Sequence, residues 1–415
     1  MSQPAEETRV DRAAPVAVAA APHHSGPMSF GQKVKAFRHK YETFEHVGFF
    51  LGGFTFDLFM LERIDSLATL GQQGLYLFLI GALMLLEQRH ALGLMKPKGI
   101  FAKAWSLSEG LMHFFLGTLL SNYTIFYFKS AAGISGLLFM VGLAALLVGN
   151  DLPKVRKLGP VVRFALYSLC LSSYFAYFFP VIFGIVRWYL FVLAVLVSSG
   201  ITVLMYRWVK QWAERNPSAV TPQSAKYPAL AENIRSNRIL IPAMVAQGLF
   251  LALYFAKAIP PVPLAATYIG IFHDVKRAGG GAYELSYEDQ GWKFWHKGDQ
   301  TFHARAGDKI FVFARVFAPK KFSDNIYARW SFDDPKRGWV SSDKVRLGIS
   351  GGKEEGFATW STKQNYQPGN WRVELQTEDD RTVGMISFNV EADDRPERPP
   401  FLVKIDKHEE RAAKD

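Results

Sequence analysis

WYLFVLAVLVSSGITVLMY (Trp188–Tyr206) contains no charged side chain, and its length decides the architecture. A helix rises 1.5 Å per residue, so about 20 apolar residues cross the ~30 Å hydrocarbon core of a bilayer. Five more uncharged runs are of comparable length: Ser66–Leu86, Gly110–Phe128, Ser130–Asn150, Phe164–Val186 and Ile239–Ala256. A further run, His46–Leu61, is interrupted only by Asp57. Small residues recur in them, as in Gly52–Phe56 and Gly133–Leu138. Such residues let helices approach closely where lipid supplies no hydrophobic force between them. The runs predict a membrane α-helical bundle of about seven transmembrane helices.

The loops set the orientation. Lys33, Lys35, Arg38 and Lys40 precede the first run; Arg89, Lys96, Lys98 and Lys103 join the second to the third. Lys154, Arg156, Lys157 and Arg163 join the fourth to the fifth, and Arg207, Lys210, Arg215, Lys226, Arg235 and Arg238 the sixth to the seventh. The alternate loops are short and hold only Arg63, Lys129 and Arg187. Positive-inside then places the N-terminus in the cytoplasm, and an odd number of spans places the C-terminus outside. The charge totals agree. From Ala265 onward 24 basic residues balance 24 acidic ones, so the whole net charge of +11 lies in the earlier part. Its short clusters between apolar runs suit a membrane surface and argue against nucleic acid.

Beyond the last apolar run, IPPVPLAATY (Ile259–Tyr268) must stop a helix, because proline fixes φ and lacks the N–H. From about Ala282 the hydrophobic period becomes two. In GNWRVELQT, Trp371, Val373 and Leu375 alternate with Arg372, Glu374 and Gln376; a turn at Glu378–Arg381 leads into TVGMISFNV. That is a hairpin with one apolar face. Further strands are expected at Ala282–Tyr287, Lys293–His296, Lys309–Phe317, Ile326–Phe332, Lys344–Ile349 and Glu355–Ser361. Many short strands in so few residues predict an all-β, Ig-like sandwich. KIFVFARVF is apolar on both faces, so both must be covered. The second cover is a sandwich neighbour, the Ile259–Phe272 strut or the outer helix ends. The expected organisation is a disordered cytoplasmic tail over 1–30, a seven-helix transmembrane domain over 31–258, and a Pro/Gly linker over 259–281. A periplasmic β-sandwich over 282–392 and a charged, flexible or loosely docked tail over 393–415 complete it. Cys170 is the only cysteine; no intramolecular disulfide can staple the exported domain.

The stretch Ile259–Glu391, with IPPVPL, the Trp330 strand and the Gly369–Val390 hairpin, resembles the bacterial domain-of-unknown-function 2914 module. Leu51–Ser66 and the membrane half are similar to the hydrophobic region that often precedes it. The resemblance implies a Gram-negative envelope protein. It carries over no catalytic residue, because the family has no established activity.

Three Glu/His pairs stand near the cytoplasmic surface: Glu45-His46, Glu87 with His90, and Glu109 with His113. Spacings of three or four put both side chains on one helix face, as in metal-binding bundles. Interfacial placement explains the first two pairs equally well, and only Glu109 and His113 reach toward the hydrocarbon. Asp57 is a carboxylate mid-span, where function is the default reading. Pairing with Arg63 or Arg187 is the structural reading and the one expected here, because a transport path needs several intramembrane polar groups and broken helices. In the exported part, Trp330 and Trp371 fall in phase with apolar positions and read as core, whereas Trp295 and Trp339 sit in loop-like contexts and are the surface ligand candidates. GxSxG, P-loop, HExxH and dinucleotide signatures are absent from the sequence, so no cofactor and no metal is expected. The expectation is a non-enzymatic inner-membrane protein presenting its β-sandwich to a periplasmic protein or glycan. The alternative is a transporter or membrane enzyme using Asp57, Glu109 and His113.

Overall fold

The structure is a computed structural model that describes residues 66–105, 107–151, 159–216, 230–279, 282–288, 298–348 and 356–406. The His46–Leu61 run with Asp57, and the strand expected at Lys293–His296, lie outside these residues.

Five of the long apolar runs form helices α1 (Leu67–Ala91), α3 (Ser108–Ser130), α4 (Gly133–Asp151), α5 (Pro160–Phe183) and α6 (Trp188–Arg215). The shorter α8 (Leu240–Phe255) carries the last one, while α2 (Ile100–Trp105) and α7 (Leu230–Arg235) are single turns in connections. Local chemistry sets the ends. Ser66 Oγ accepts the Thr69 N–H at 3.0 Å, capping α1. Pro160 opens α5, where its missing N–H costs nothing, and Gly184 closes it in the left-handed region. Among the described residues three helices are long and apolar enough to cross a membrane: Ala68–Ala91, Pro160–Phe183 and Trp188–Arg215. Among the described residues the expectation of about seven spans is thus met by three helices. The α8 helix has 16 residues, about 24 Å of rise, and α3 dilutes its apolar run with Glu109, Ser121, Asn122 and Thr124.

The C-terminal part is all β and has three layers. A five-stranded sheet has the order β4 (Thr301–Ala304), β10 (Thr382–Ala392), β9 (Gly369–Thr377), β6 (Ile326–Asp334), β7 (Gly338–Leu347). It faces a sheet ordered β1 (Ala265–Phe272), β5 (Ile310–Phe317), β8 (Phe357–Lys363). Behind that lies a small sheet ordered β11 (Leu402–Asp406), β3 (Tyr283–Tyr287), β2 (Asp274–Arg277). The main core between the first two sheets takes Trp330, Trp371, Val373, Leu375 and Phe388.

Strand β5 belongs to two cores. Ile310, Val312, Ala314 and Val316 enter the main one; Phe313 enters the other with Phe272, Val275, Tyr283 and Leu285. Its second cover is therefore the small sheet. Two expected boundaries change with it. The segment read as a linker over 259–281 contains β1 and β2. The tail expected to be loose over 393–415 is packed as far as Asp406: β11 pairs antiparallel with β3, and Asp406 Oδ2 takes a 2.8 Å bond from the largely buried Arg315.

Candidate functional site

Among the described residues three constellations bring polar chemistry together, and each is built from long-range contacts. The first is in the helices. Arg163, in the first turn of α5, donates from Nη1 to Glu87 Oε2 at 2.5 Å and from Nη2 to Glu109 Oε1 at 2.8 Å. Arg163 and Glu87 are buried, while the Glu109 side chain is 39 % exposed. His113, one turn along α3 from Glu109, is also buried. The Glu109 carboxylate singled out in the sequence thus serves a three-residue charge node. Asp57 lies outside the described residues. Arg187, considered as its partner, is taken elsewhere.

The second constellation is a seam between helix ends and β domain. At the α5–α6 connection, the Ser323 N–H donates to Gly184 O at 2.9 Å, and Arg187 Nη2 to Asp324 Oδ1 at 2.7 Å. Asp379 Oδ2 accepts the Trp188 N–H at 2.7 Å, an anion at the positive end of the α6 dipole. At the end of α8, buried Arg381 donates to Tyr254 O at 2.7 Å and Ile259 O at 3.3 Å. Its guanidinium lies 3.2 Å from the centroid of the Tyr254 ring, and burial pulls its pKa below the usual arginine value. Glu378–Arg381, recognised in the sequence only as a hairpin turn, is therefore the domain's foot. Nothing in the sequence marks it: Gly184 falls inside the Phe164–Val186 run and Arg187 alone separates that run from the next.

The third lies at the opposite end of the β domain. Strands β9 and β10 run from the foot for nine to eleven residues, about 30 Å at 3.3 Å per residue. There, Arg395 joins Glu288 (2.7 Å) and Asp393 (2.6 Å), Arg305 joins Asp393 (2.7 Å), and Arg398 pairs with Asp308. His303 Nδ1 lies 2.8 Å from Glu288 Oε2. Bonds from Arg395 and Arg305 hold the Asp393 carboxyl well below the usual range. Burial pushes Glu288 up, but Arg395 and His303 more than offset it. His273 is stacked between Phe302 (4.0 Å) and Phe401 (4.5 Å), and burial lowers its pKa to about 4. This network straps residues 393–401 onto the domain. Among the described residues no group of His, Cys, Asp and Glu could hold a metal ion.

Beside the strap the surface opens into two clefts sharing Tyr366 as a wall. One, of 440 Å³, is lined by Arg305, Asp308, Gln364, Tyr366 and Glu391 among others. The other, of 430 Å³, is lined by Phe332, Asp334, Arg337, Val340, Ser341, Ser342, Asn365, Tyr366, Gln367 and Trp371. Trp339 is 40 % exposed, with the Arg372 guanidinium 4.3 Å from its ring, on the hairpin that borders this second cleft. Trp330 and Trp371 are buried. Trp295 lies outside the described residues.

A search of curated proteins finds no match. Among solved structures, an immunoglobulin-like protein from Pseudomonas aeruginosa is 14 % identical, covering 29 % of this chain and 96 % of its own, with a TM-score of 0.19. The alkylpurine DNA glycosylase of Pseudomonas fluorescens, bound to DNA containing an abasic-site analogue, is 10 % identical over 80 % of this chain and 99 % of its own, also with a TM-score of 0.19. Scores at that level support no statement about this chain, and the β architecture stands on its own strand order. Residues 323–390, from the seam through the second cleft to β10, match the family described as a protein of unknown function, DUF2914.

Proposed function

We propose that the chain is an integral protein of the bacterial inner membrane, N-terminus in the cytoplasm, that catalyses no reaction and holds a β domain in the periplasm for a protein or glycan to bind. The observation that carries this reading is the seam. It fixes the domain on the helix ends and turns the Tyr366 clefts away from them. A tether would have been enough for an accessory domain, whereas a fixed foot orients a binding surface.

The helices favour a lipid surround. Their surface is apolar, with Phe78, Ile134, Leu138, Leu196, Val245 and Leu249 all well exposed, while Gln73, Thr124, Ser168, Ser172, Ser198, Thr202 and Gln247 are buried. Such a surface is costly in water, and small or polar residues inside are how membrane helices associate. Ser172 Oγ donates to Gln247 Oε1 and Gln247 Nε2 to Ser168 O, joining α5 to α8. Lys96, Lys98, Lys103, Lys210 and Arg215 lie near the helix ends remote from the seam, as positive-inside requires. The bundle we propose has about seven spans. The rival reading, a transporter or membrane enzyme using Asp57, Glu109 and His113, finds Glu109 already held by Arg163, which it shares with Glu87. Reporters fused after Asp415 should register the periplasm, and reporters inserted within 218–226 the cytoplasm. The same compartment for both would refute the topology.

A further inference from the structure

We propose that the 430 Å³ cleft between the β6–β7 and β8–β9 connections is a saccharide site, taking one or two uncharged pyranose rings. This deepens the presentation reading and rests on it.

Four features of the cleft point to sugar. Its volume is at the small end of ligand pockets, too small for a folded partner's surface. Its walls combine aromatic rings, Phe332 and Tyr366, with two exposed primary amides, Asn365 and Gln367, and the hydroxyls of Ser341 and Ser342. A pyranose offers that pair of surfaces in return: an apolar C–H face for a ring and a rim of hydroxyls that donate and accept. Each primary amide supplies two donors and an acceptor, so a bidentate bond to neighbouring hydroxyls is open to both Asn365 and Gln367.

Charge is the third feature. Arg337 Nη2 and Asp334 Oδ2 are 3.4 Å apart, and buried Lys363 is paired with Asp343 behind the wall. The cleft thus offers no unmatched charge, which disfavours phosphates and acidic sugars. Fourth, the walls are held in place before any ligand arrives. Lys363 Nζ donates to Ser342 Oγ at 2.8 Å, Trp371 Nε1 to Gln367 O at 2.9 Å, and Tyr366 Oη to Asp308 O at 2.9 Å. Preorganisation lowers the entropic cost of holding a small polar ligand.

An extended peptide is the competing occupant, since β7 is an edge strand. That edge carries Asp343, Lys344 and Arg346, and charges along an edge discourage strand addition.

The test uses the full chain in nanodiscs, titrated with maltotriose and N,N′-diacetylchitobiose and followed by saturation-transfer NMR. At least one sugar should bind, and the exposed pair Asn365→Ala/Gln367→Ala should weaken it about tenfold, the loss of two neutral hydrogen bonds. Glu391→Gln, in the neighbouring cleft, should leave binding unchanged. No saturation transfer from either sugar overturns the proposal, as does binding that the double variant leaves intact. A peptide that binds wild type and is lost in the double variant, with no sugar bound, overturns the saccharide assignment but keeps the presentation reading. Loss of the fixed foot, measured separately by distances across the seam, would instead remove that reading.

Discussion

A single methyl group at Gly184 should loosen the foot of the β domain. Gly184 sits at φ +73°, and a Cβ built on it falls 2.1 Å from Lys321 O and 2.8 Å from Lys321 C, both backbone atoms. No rotamer relieves such a contact; the two elements must separate by about 1 Å to restore ordinary packing distance. Three costs follow. The left-handed backbone costs an alanine ~1–2 kcal/mol. The Ser323–Gly184 hydrogen bond, 2.9 Å, is lost at ~1 kcal/mol. The 2.7 Å Arg187–Asp324 pair beside it stretches, for another ~1 kcal/mol. Gly184→Ala should therefore lose about 3–4 kcal/mol, most of it in the seam. Gly99→Ala is the control, since Gly99 has φ +59° and nothing within 4 Å of its Cβ, so it bears the backbone cost alone. The assay is pulsed EPR between spin labels at Lys210→Cys and Ser341→Cys in a Cys170→Ser background, alongside thermal unfolding. Gly184→Ala should broaden the distance distribution and lower Tm beyond the control. Identical distributions and Tm for the two variants would refute a rigid seam.

Four other outcomes are expected. Arg381→Met should release the α8 end of the seam at a cost of about 1–3 kcal/mol, because Ile259 O loses its donor while Tyr254 O keeps the Lys257 N–H at 2.9 Å; hydrogen exchange at the Ile259 region should report it. Trp330→Ala should cost about 3–5 kcal/mol in chemical denaturation, as for any fully buried large aromatic. Arg163→Met should destabilise by about 3–5 kcal/mol by stranding Glu87, and adding Glu87→Gln should recover part of the loss in Tm. Stability should fall as pH drops from about 6.5 to about 4, because burial holds His273 near 4 while the unfolded imidazole titrates near 6.5, so the unfolded chain binds the extra proton. The loss reaches about 3 kcal/mol at 1.36 kcal/mol per pH unit, and His273→Phe should flatten that slope in a Tm-against-pH series.

Period-two patterning made the Gly369–Val390 hairpin legible, since it turns on residues adjacent in sequence. The double-sided apolar character of β5 likewise announced that something covered it, though not what. The cover is β2, β3 and β11, and the last, LVKID, sits among charged residues and pairs with β3 across more than a hundred residues, so its partner could not be read locally. The seam was illegible for the same reason. Arg187 and Asp324 are 137 apart, and each alone reads as an ordinary loop charge. Trp330 and Trp371 read as core from their phase and are buried; Trp339 is exposed as expected but stands in strand β7, paired opposite Asp333, not in the loop the sequence suggested. The cleft beside it could not be read, because its walls come from two connections that only the fold brings together. Glu109 was visible as an anomaly, but its partner Arg163 looked like one more interfacial cation.

The central claim is that a membrane separates the basic helix ends from the Tyr366 clefts. Labelling single cysteines, Lys96→Cys and Ser341→Cys, in a Cys170→Ser background with a membrane-impermeant maleimide tests it directly in spheroplasts. Both positions are exposed on the protein itself. Ser341→Cys should label in intact spheroplasts and Lys96→Cys only after lysis. Equal labelling of both before lysis, or of Lys96→Cys alone, would contradict the account.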